Sequence, residues 1–322
     1  MEDRLRPVNA VLGLVTPGDV NPATLFDLGY KAVGLEVPVV GPHGRVVVDV
    51  VLFNAQLLHL VLVEAKSGAN VDELQAARYG ALDPKEVVQA TGVTLPRRGE
   101  VSVDVAYACL AANADRIRIG LDRAKLFCAV MSVADRSIDL INAEASSKLG
   151  SAWSEGPVAL VGPVSRLLPF DHETPAADLR PFVYAELVSA LSNRAREITV
   201  RALTERTTPY FPLFSTGAQR RLVANVRAAV RTIAEDTPEA FAYVPSTGTR
   251  IDDLVSLLKT PEDRDPRGRT QAYQALRDRG AQRRRQQVSE HQLDLLDLLA
   301  EAGRAETVGG ESEDVLAEEE ST

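Results

Sequence analysis

Residues 45–68 read RVVVDVVLFNAQLLHLVLVEAKSG. Two runs rich in Val and Leu flank a short polar break, Asn54-Ala55-Gln56. Runs of this length and β-branched content point to strands rather than a helix, and the break is short enough for an antiparallel hairpin. Each run carries charge where burial is expected: Asp49 inside the first, Glu64 and Lys66 at the end of the second. A carboxylate in such a run is costly to desolvate unless it is paired or binds a cation. Paired positions in a hairpin have a constant sum. A turn centred between Gln56 and Leu57 therefore sets Asp49 opposite Glu64, with Cβ atoms roughly 5 Å apart. Glu64 and Lys66, two apart, point to one face and Ala65 to the other.

Outward from the hairpin, strands and helices alternate. Leu25 to Lys31 is expected as a short helix ending near Gly29, with Asn21-Pro22 as its start signal. Ala32 to Val40 is expected as a strand closed by the turn Gly41-Pro42-His43-Gly44. Asp72 to Leu82 has helical spacing, with Asp72 as the cap. Val101 to Leu110 reads as strand, Asn113 to Ala124 as helix, and Lys125 to Val133 and Ser137 to Ile141 as strands. This gives an α/β (α+β) class with a mixed sheet covered by helices over residues 1–150. Pro, Ser and Gly accumulate after Ser146, so residues 151–181 are expected to link to a mainly helical second domain, residues 182–260. There, Phe182 to Arg206 and Gly217 to Asp236 read as helices and Phe241 to Val244 as a strand. A winged helix has this pattern, and so do short helical domains of other kinds. Residues 261–303 read as an Arg-rich linker followed by a short amphipathic helix, and residues 304–322 as an acidic disordered tail.

The 322 residues suffice for two domains and a sizeable core. No apolar run is long enough for a membrane span, and the charged start MEDRLRPVNA lacks a secretory signal, which favours a cytoplasmic protein. Two cysteines without a CxxC, and four histidines without a zinc spacing, argue against a disulfide framework or a zinc site. The formal charge of −9 is concentrated in the C-terminal tail. Residues 182–231 hold eight Arg against three Glu, and residues 261–285 eight Arg against four acids. Such segments can contact phosphates or serve only as solvated faces. Arg220, Arg221, Arg227 and Arg231 are the candidate phosphate contacts.

Asp49, then Glu64-Ala65-Lys66, resembles the D…(D/E)xK signature of the PD-(D/E)xK, or restriction-endonuclease-like, nuclease superfamily. Gln75-Ala76-Ala77-Arg78-Tyr79 at the start of the next helix is similar to the QxxxY element of its RecB-type branch. The resemblance covers roughly residues 20–135, with Val48 where the signature has Pro. It implies an αβββαβ core and Mg²⁺- or Mn²⁺-dependent hydrolysis of phosphodiester bonds in DNA or RNA. It further implies metal ligation by Asp49, Glu64 and the Ala65 carbonyl, with Glu36 as the supporting acid. Lys66 would hold the attacking water or offset phosphorane charge, and Gln75 and Tyr79, on one helix face, would orient it. Restriction, phage defence or repair would fit. The alternatives are a nuclease-like fold without activity, acting as a nucleic-acid or protein interaction module, and a regulator acting through a winged helix. His43 and His59 are expected at structural positions. Asp104 is one further carboxylate in an apolar strand.

Overall fold

The structure, a computed structural model, describes residues 2–95, 100–153, 156–247 and 252–258. The expected amphipathic helix near Gln292, the Arg-rich stretch 261–285 and the acidic tail lie outside these residues. The quoted stretch folds as a hairpin of β2 (Gly44–Asn54) and β3 (His59–Lys66). Its ladder runs from Asn54↔His59 to Val50↔Val63, the register expected from the sequence. One further step along that register sets Asp49 against Glu64. The turn is tied by the Asn54 side chain, whose Oδ1 accepts the N–H groups of Gln56 and Leu57, both at 3.0 Å.

The hairpin sits in a mixed sheet of seven strands in chain order. β1 (Tyr30–Gly41) pairs antiparallel with β2, while β4 (Ser102–Leu110) and β5 (Ala129–Val133) add in parallel to β3. β6 (Ser137–Ile141) and β7 (Val158–Ala159) return antiparallel. The parallel crossovers carry α3 (Glu73–Gly80) and α4 (Pro84–Thr91), then α5 (Ala114–Arg123). This is a mixed α/β architecture, as expected.

Several elements differ from the sequence reading. A helix α1 (Glu2–Leu14) precedes everything that was expected, and it contains Pro7. An interior proline costs a helix about 3 kcal/mol. Val8, Val11, Leu12 and Leu14 are nevertheless buried against the sheet, and burying one such side chain returns about 1.5–3 kcal/mol. The expected helix at Leu25 to Lys31 is a single turn, α2 (Thr24–Asp27), because Gly29 takes φ +91° and releases the chain into β1. α4 was not expected, although Asp83 and Glu86 form a capping box around it. The expected strand at Lys125 to Val133 starts only at Ala129, after Lys125 closes α5 at φ +54°.

The described residues of 151–181, expected as a linker, are packed. α6 (Ser147–Ala152) and β7 lie at the start of this region, α7 (Ala176–Ser192) takes up its end, and Leu160, Leu168 and Phe170 are buried between them. Composition reports the turns of this segment but not the apolar anchors between them. Those anchors join one continuous cluster that runs from α1 and the adjoining sheet face to α7 and on to the helices α8 (Val200–Thr207) and α9 (Thr216–Asp236). The expected helix from Phe182 to Arg206 is broken as well. Asn193 ends α7 and Arg194 turns at φ +62°. β8 (Glu197–Thr199) then leads into α8 (Val200–Thr207). After α9 (Thr216–Asp236) come β9 (Phe241–Val244), as expected, and β10 (Leu254–Leu257). The last three strands form an antiparallel sheet of order β8-β10-β9.

At the β3 start lies a buried polar relay. Tyr30 Oη is 2.7 Å from His59 Nδ1, and His59 Nε2 is 2.8 Å from Asp104 Oδ2. Asp104 also accepts from the hydroxyl of Ser146, the residue that caps α6. The relay therefore ties three strands to the helix before β7, which gives His59 and Asp104 a structural task. Burial alone would raise the Asp104 carboxyl, but hydrogen bonds from His59 and Ser146 outweigh it and hold the group below the usual carboxylate range. A depressed folded-state pKa stabilises the fold above the ordinary carboxylate pKa, and that stability is lost as pH falls through the folded value. Asp104→Asn should lower stability at pH 7 by about 1–3 kcal/mol. It should also flatten the fall in stability below roughly pH 4; urea unfolding of both proteins across this range reads both effects.

Candidate functional site

The opposite end of β3 is built differently. α3 lies over this end of the sheet, capped by Asp72, whose carboxylate accepts from Leu74 N at 2.9 Å and Gln75 N at 3.1 Å. The cap fixes the first turn, so Gln75 and Tyr79 project one turn apart onto the strand face that carries Glu64 and Lys66. Gln75 Nε2 donates to Glu64 Oε1 at 2.9 Å, and Tyr79 Oη donates to Glu64 Oε2 at 2.7 Å. Lys66 Nζ donates to Gln75 Oε1 at 2.8 Å and pairs with Glu64 Oε1 at 2.8 Å. Glu64 is buried, at 5% exposure, and both of its oxygens are occupied. The Gln75 amide is thus fixed in one orientation, with its nitrogen on the acid and its oxygen on the amine. Burial, then the Glu64 charge and its hydrogen bond, push the Tyr79 phenol well above its ordinary pKa, so it serves as a donor.

Asp49 stands beside this network, with Oδ2 accepting Ala65 N–H at 2.6 Å. Ala65 itself packs toward the other face, as expected. Lys66 pairs with Glu64 rather than Asp49. Burial first, then the neighbouring charges of Glu64 and Glu36, push the Asp49 carboxyl well above the usual range, against the pull of Ala65 N–H and Lys66.

Glu36 occupies the facing place on β1, between the pairs Leu35↔Val50 and Val37↔Val48. It takes φ +52°, unusual for a residue with a side chain. Strand alternation breaks there. Leu35 packs in the α1-side core, but Val37 and Val39 pack on the α3 side. β2 makes the same switch across Asp49: Val50 and Leu52 lie on one side, Val46 and Val48 on the other. Residues two apart on a regular strand share a face. The local turn is tight enough that a Cβ on Gly34 would stand 2.5 Å from Val37 Cγ2. Glu36, Asp49 and Glu64 therefore form a row across three strands, at the point where two of them change faces.

Among the described residues no three His, Cys, Asp or Glu side chains converge closely enough to hold a metal ion by themselves. The chemistry of the donor set nonetheless fits a hard dication. Mg²⁺ needs only one or two carboxylates and keeps several waters, and the row gathers more negative charge than Lys66 offsets.

The sequence reading missed His172. Its Nδ1 is 3.7 Å from Glu36 Oε1 and its side chain is 7% exposed. No local motif could have found it, because only the packing of the 160–175 segment brings it to the sheet. The candidate arginines separate into two kinds. Arg220 and Arg221 are exposed on α9. Arg227 pairs with Asp253, and Arg231 stacks 4.9 Å over Tyr243 and donates to its hydroxyl at 3.2 Å. His43 lies exposed in the β1–β2 turn.

Residues 4–120 match the model of the MJECL32 domain family. The matched region runs from α1 into α5 and includes Glu36, Asp49, Glu64, Lys66, Gln75 and Tyr79. No curated protein and no solved structure matches the chain.

Tyr79→Phe should leave one oxygen of a buried carboxylate without its donor and cost about 1–3 kcal/mol. Leu74→Ala, at an exposed position on the same helix, should cost less than about 0.5 kcal/mol. Chemical denaturation separates the two.

Proposed function

We propose that this protein is a metal-dependent nuclease that hydrolyses phosphodiester bonds in DNA or RNA, with its catalytic centre at the end of β2 and β3. The reading is carried by one observation: Lys66 is held by Glu64 and Gln75 beside a second carboxylate, Asp49, on the face covered by α3. The strand and helix order from α2 through β5 supports a restriction-endonuclease-like core. A divalent cation, Mg²⁺ or Mn²⁺, held by Asp49 and Glu64 with the Ala65 carbonyl and Glu36 beside them, would supply Lewis acidity toward a phosphate oxygen and a nucleophile at neutral pH. Lys66 orients the attacking water or offsets charge growing on the phosphate oxygens. Gln75 fixes the direction of the Lys66 amine, and Tyr79 fixes one oxygen of Glu64.

The C-terminal part supports a polymer substrate. Its order, helix, strand, two helices and two strands, with a sheet of order β8-β10-β9, supports a winged-helix reading. α9 would be the helix presented to nucleic acid, with Arg220 and Arg221 as phosphate contacts. Arg231, stacked on Tyr243, remains on the exposed surface. Arg227 contributes through Asp253, by holding α9 to the strands. The same topology would suit a regulator that binds nucleic acid without cutting it, and the assay below separates the two.

Purified protein incubated with linear and circular DNA, and with RNA, should cut in Mg²⁺ or Mn²⁺ and not in EDTA. Lys66→Ala should abolish cutting. It should cost only on the order of 1–2 kcal/mol of stability, because Glu64 keeps its bonds from Gln75 and Tyr79. Cutting that survives both Asp49→Ala and Lys66→Ala would reject the assigned centre, and metal-independent binding without cutting would favour the regulator.

Affinity for nucleic acid should fall steeply with salt, and Arg220→Ala with Arg221→Ala should reduce the log–log slope by about one per residue. Fluorescence anisotropy at several salt concentrations gives the slope. An unchanged slope would remove these two arginines from the interface.

A further inference from the structure

His172 faces Glu36 from a part of the chain that the sheet does not contain. Its turn is rigid. Asp171 Oδ1 accepts from Glu173 N at 2.9 Å, and from Thr174 N and Thr174 Oγ1 at 3.0 Å each. The turn is also fastened to α9: Asn225 Nδ2 donates to the carbonyls of His172 and Thr174, at 3.0 and 3.1 Å. A second fastening lies at the residue before Glu36. Ser215, the cap of α9, donates its N–H to Leu35 O at 3.0 Å, and Phe214 bridges to Leu35. The two fastenings hold α9, the His172 turn and the Glu36 bend to one another.

Glu36 spends backbone strain to stand in this place. A single left-handed residue with a side chain costs on the order of 1–3 kcal/mol and persists only where its surroundings over-determine it. Here the surroundings are the Leu35 anchor, the β2 ladder on either side and the imidazole. Carboxylates near a cation are commonly oriented by an outer partner of this kind.

We propose that His172 is a positioning residue for Glu36, and that the 171–174 turn thereby makes the C-terminal part a structural component of the cation site. This rests on the nuclease reading of Asp49 and Glu64. His172 Nδ1, 3.7 Å from Glu36 Oε1, orients that carboxylate on its bend in β1. α9 holds the turn in place through Asn225. The half of the chain that bears the arginines thus also sets the geometry where the cation sits.

The test is Mn²⁺ binding by the full chain, read from the loss of the free-ion electron paramagnetic resonance signal, with circular dichroism and thermal unfolding run on every variant. His172→Ala should weaken Mn²⁺ binding about tenfold to a hundredfold. His172→Asn, whose amide nitrogen lies close to the place of Nδ1, should recover most of the loss, which a merely structural role would not predict. Asn225→Ala, away from the carboxylates, should weaken binding in the same direction and serves if the His172 variant fails to fold. Asp49→Asn should abolish binding. Should Asp49→Asn do so while His172→Ala and Asn225→Ala stay within twofold of the parent, the positioning role falls and the nuclease centre stands. Should the parent bind no Mn²⁺, or bind it regardless of Asp49, both fall together.

Discussion

A carboxylate with almost no access to water, Glu64, needs hydrogen-bond donors, and it takes them from one helix. Gln75 and Tyr79 are four apart, the spacing that presents two side chains on one helical face, and each occupies one oxygen of Glu64. This polar clasp ties α3 to the sheet. Val48, Leu62 and Tyr79 of the same interface join Val87 of α4 in one apolar cluster beside it. A buried acid is weak evidence for stability because desolvation offsets its attractions. Its value lies in specificity: a helix docked one residue out of phase would take both helix donors away from Glu64. The amine of Lys66 is placed by the same clasp.

The second constraint is the bend at Glu36 and Asp49. A sheet with regular alternation would aim Glu36 away from the Glu64 side, or bury Val37 on the wrong face. The chain instead turns over at one residue on each of two neighbouring strands. Gly34, whose missing side chain leaves room for Val37, is part of the arrangement. The result is an acidic row that an undistorted sheet of the same sequence could not assemble.

The register of the hairpin was legible because two independent signals agreed, the composition of the turn and the symmetric placement of Asp49 and Glu64. The face shared by Gln75 and Tyr79 was legible from spacing alone. Other features were not, for physical reasons. α1 was hidden by Pro7, whose local cost is overridden by burial that only the folded chain supplies. The 151–181 stretch has the composition of a connector, but its few large apolar residues act one at a time and leave no period to detect. β8 lies in a run of helix-compatible residues and becomes a strand by pairing with β10, far along the chain. His172 belongs to no motif, since its neighbour Glu36 is a neighbour only in space.

β1 forms one border of the large sheet, and the two-residue β7 forms the other. An exposed border strand is a template on which a foreign chain can grow. β1 is poorly suited to that. Pro38 removes a backbone donor near its middle, the register shifts between Ala32 and Gly34, and Phe214 already occupies the flank at Leu35. With so short a strand at the far border, neither side presents an unbroken row of peptide groups. Polymerisation by strand addition is therefore disfavoured at both borders of the large sheet.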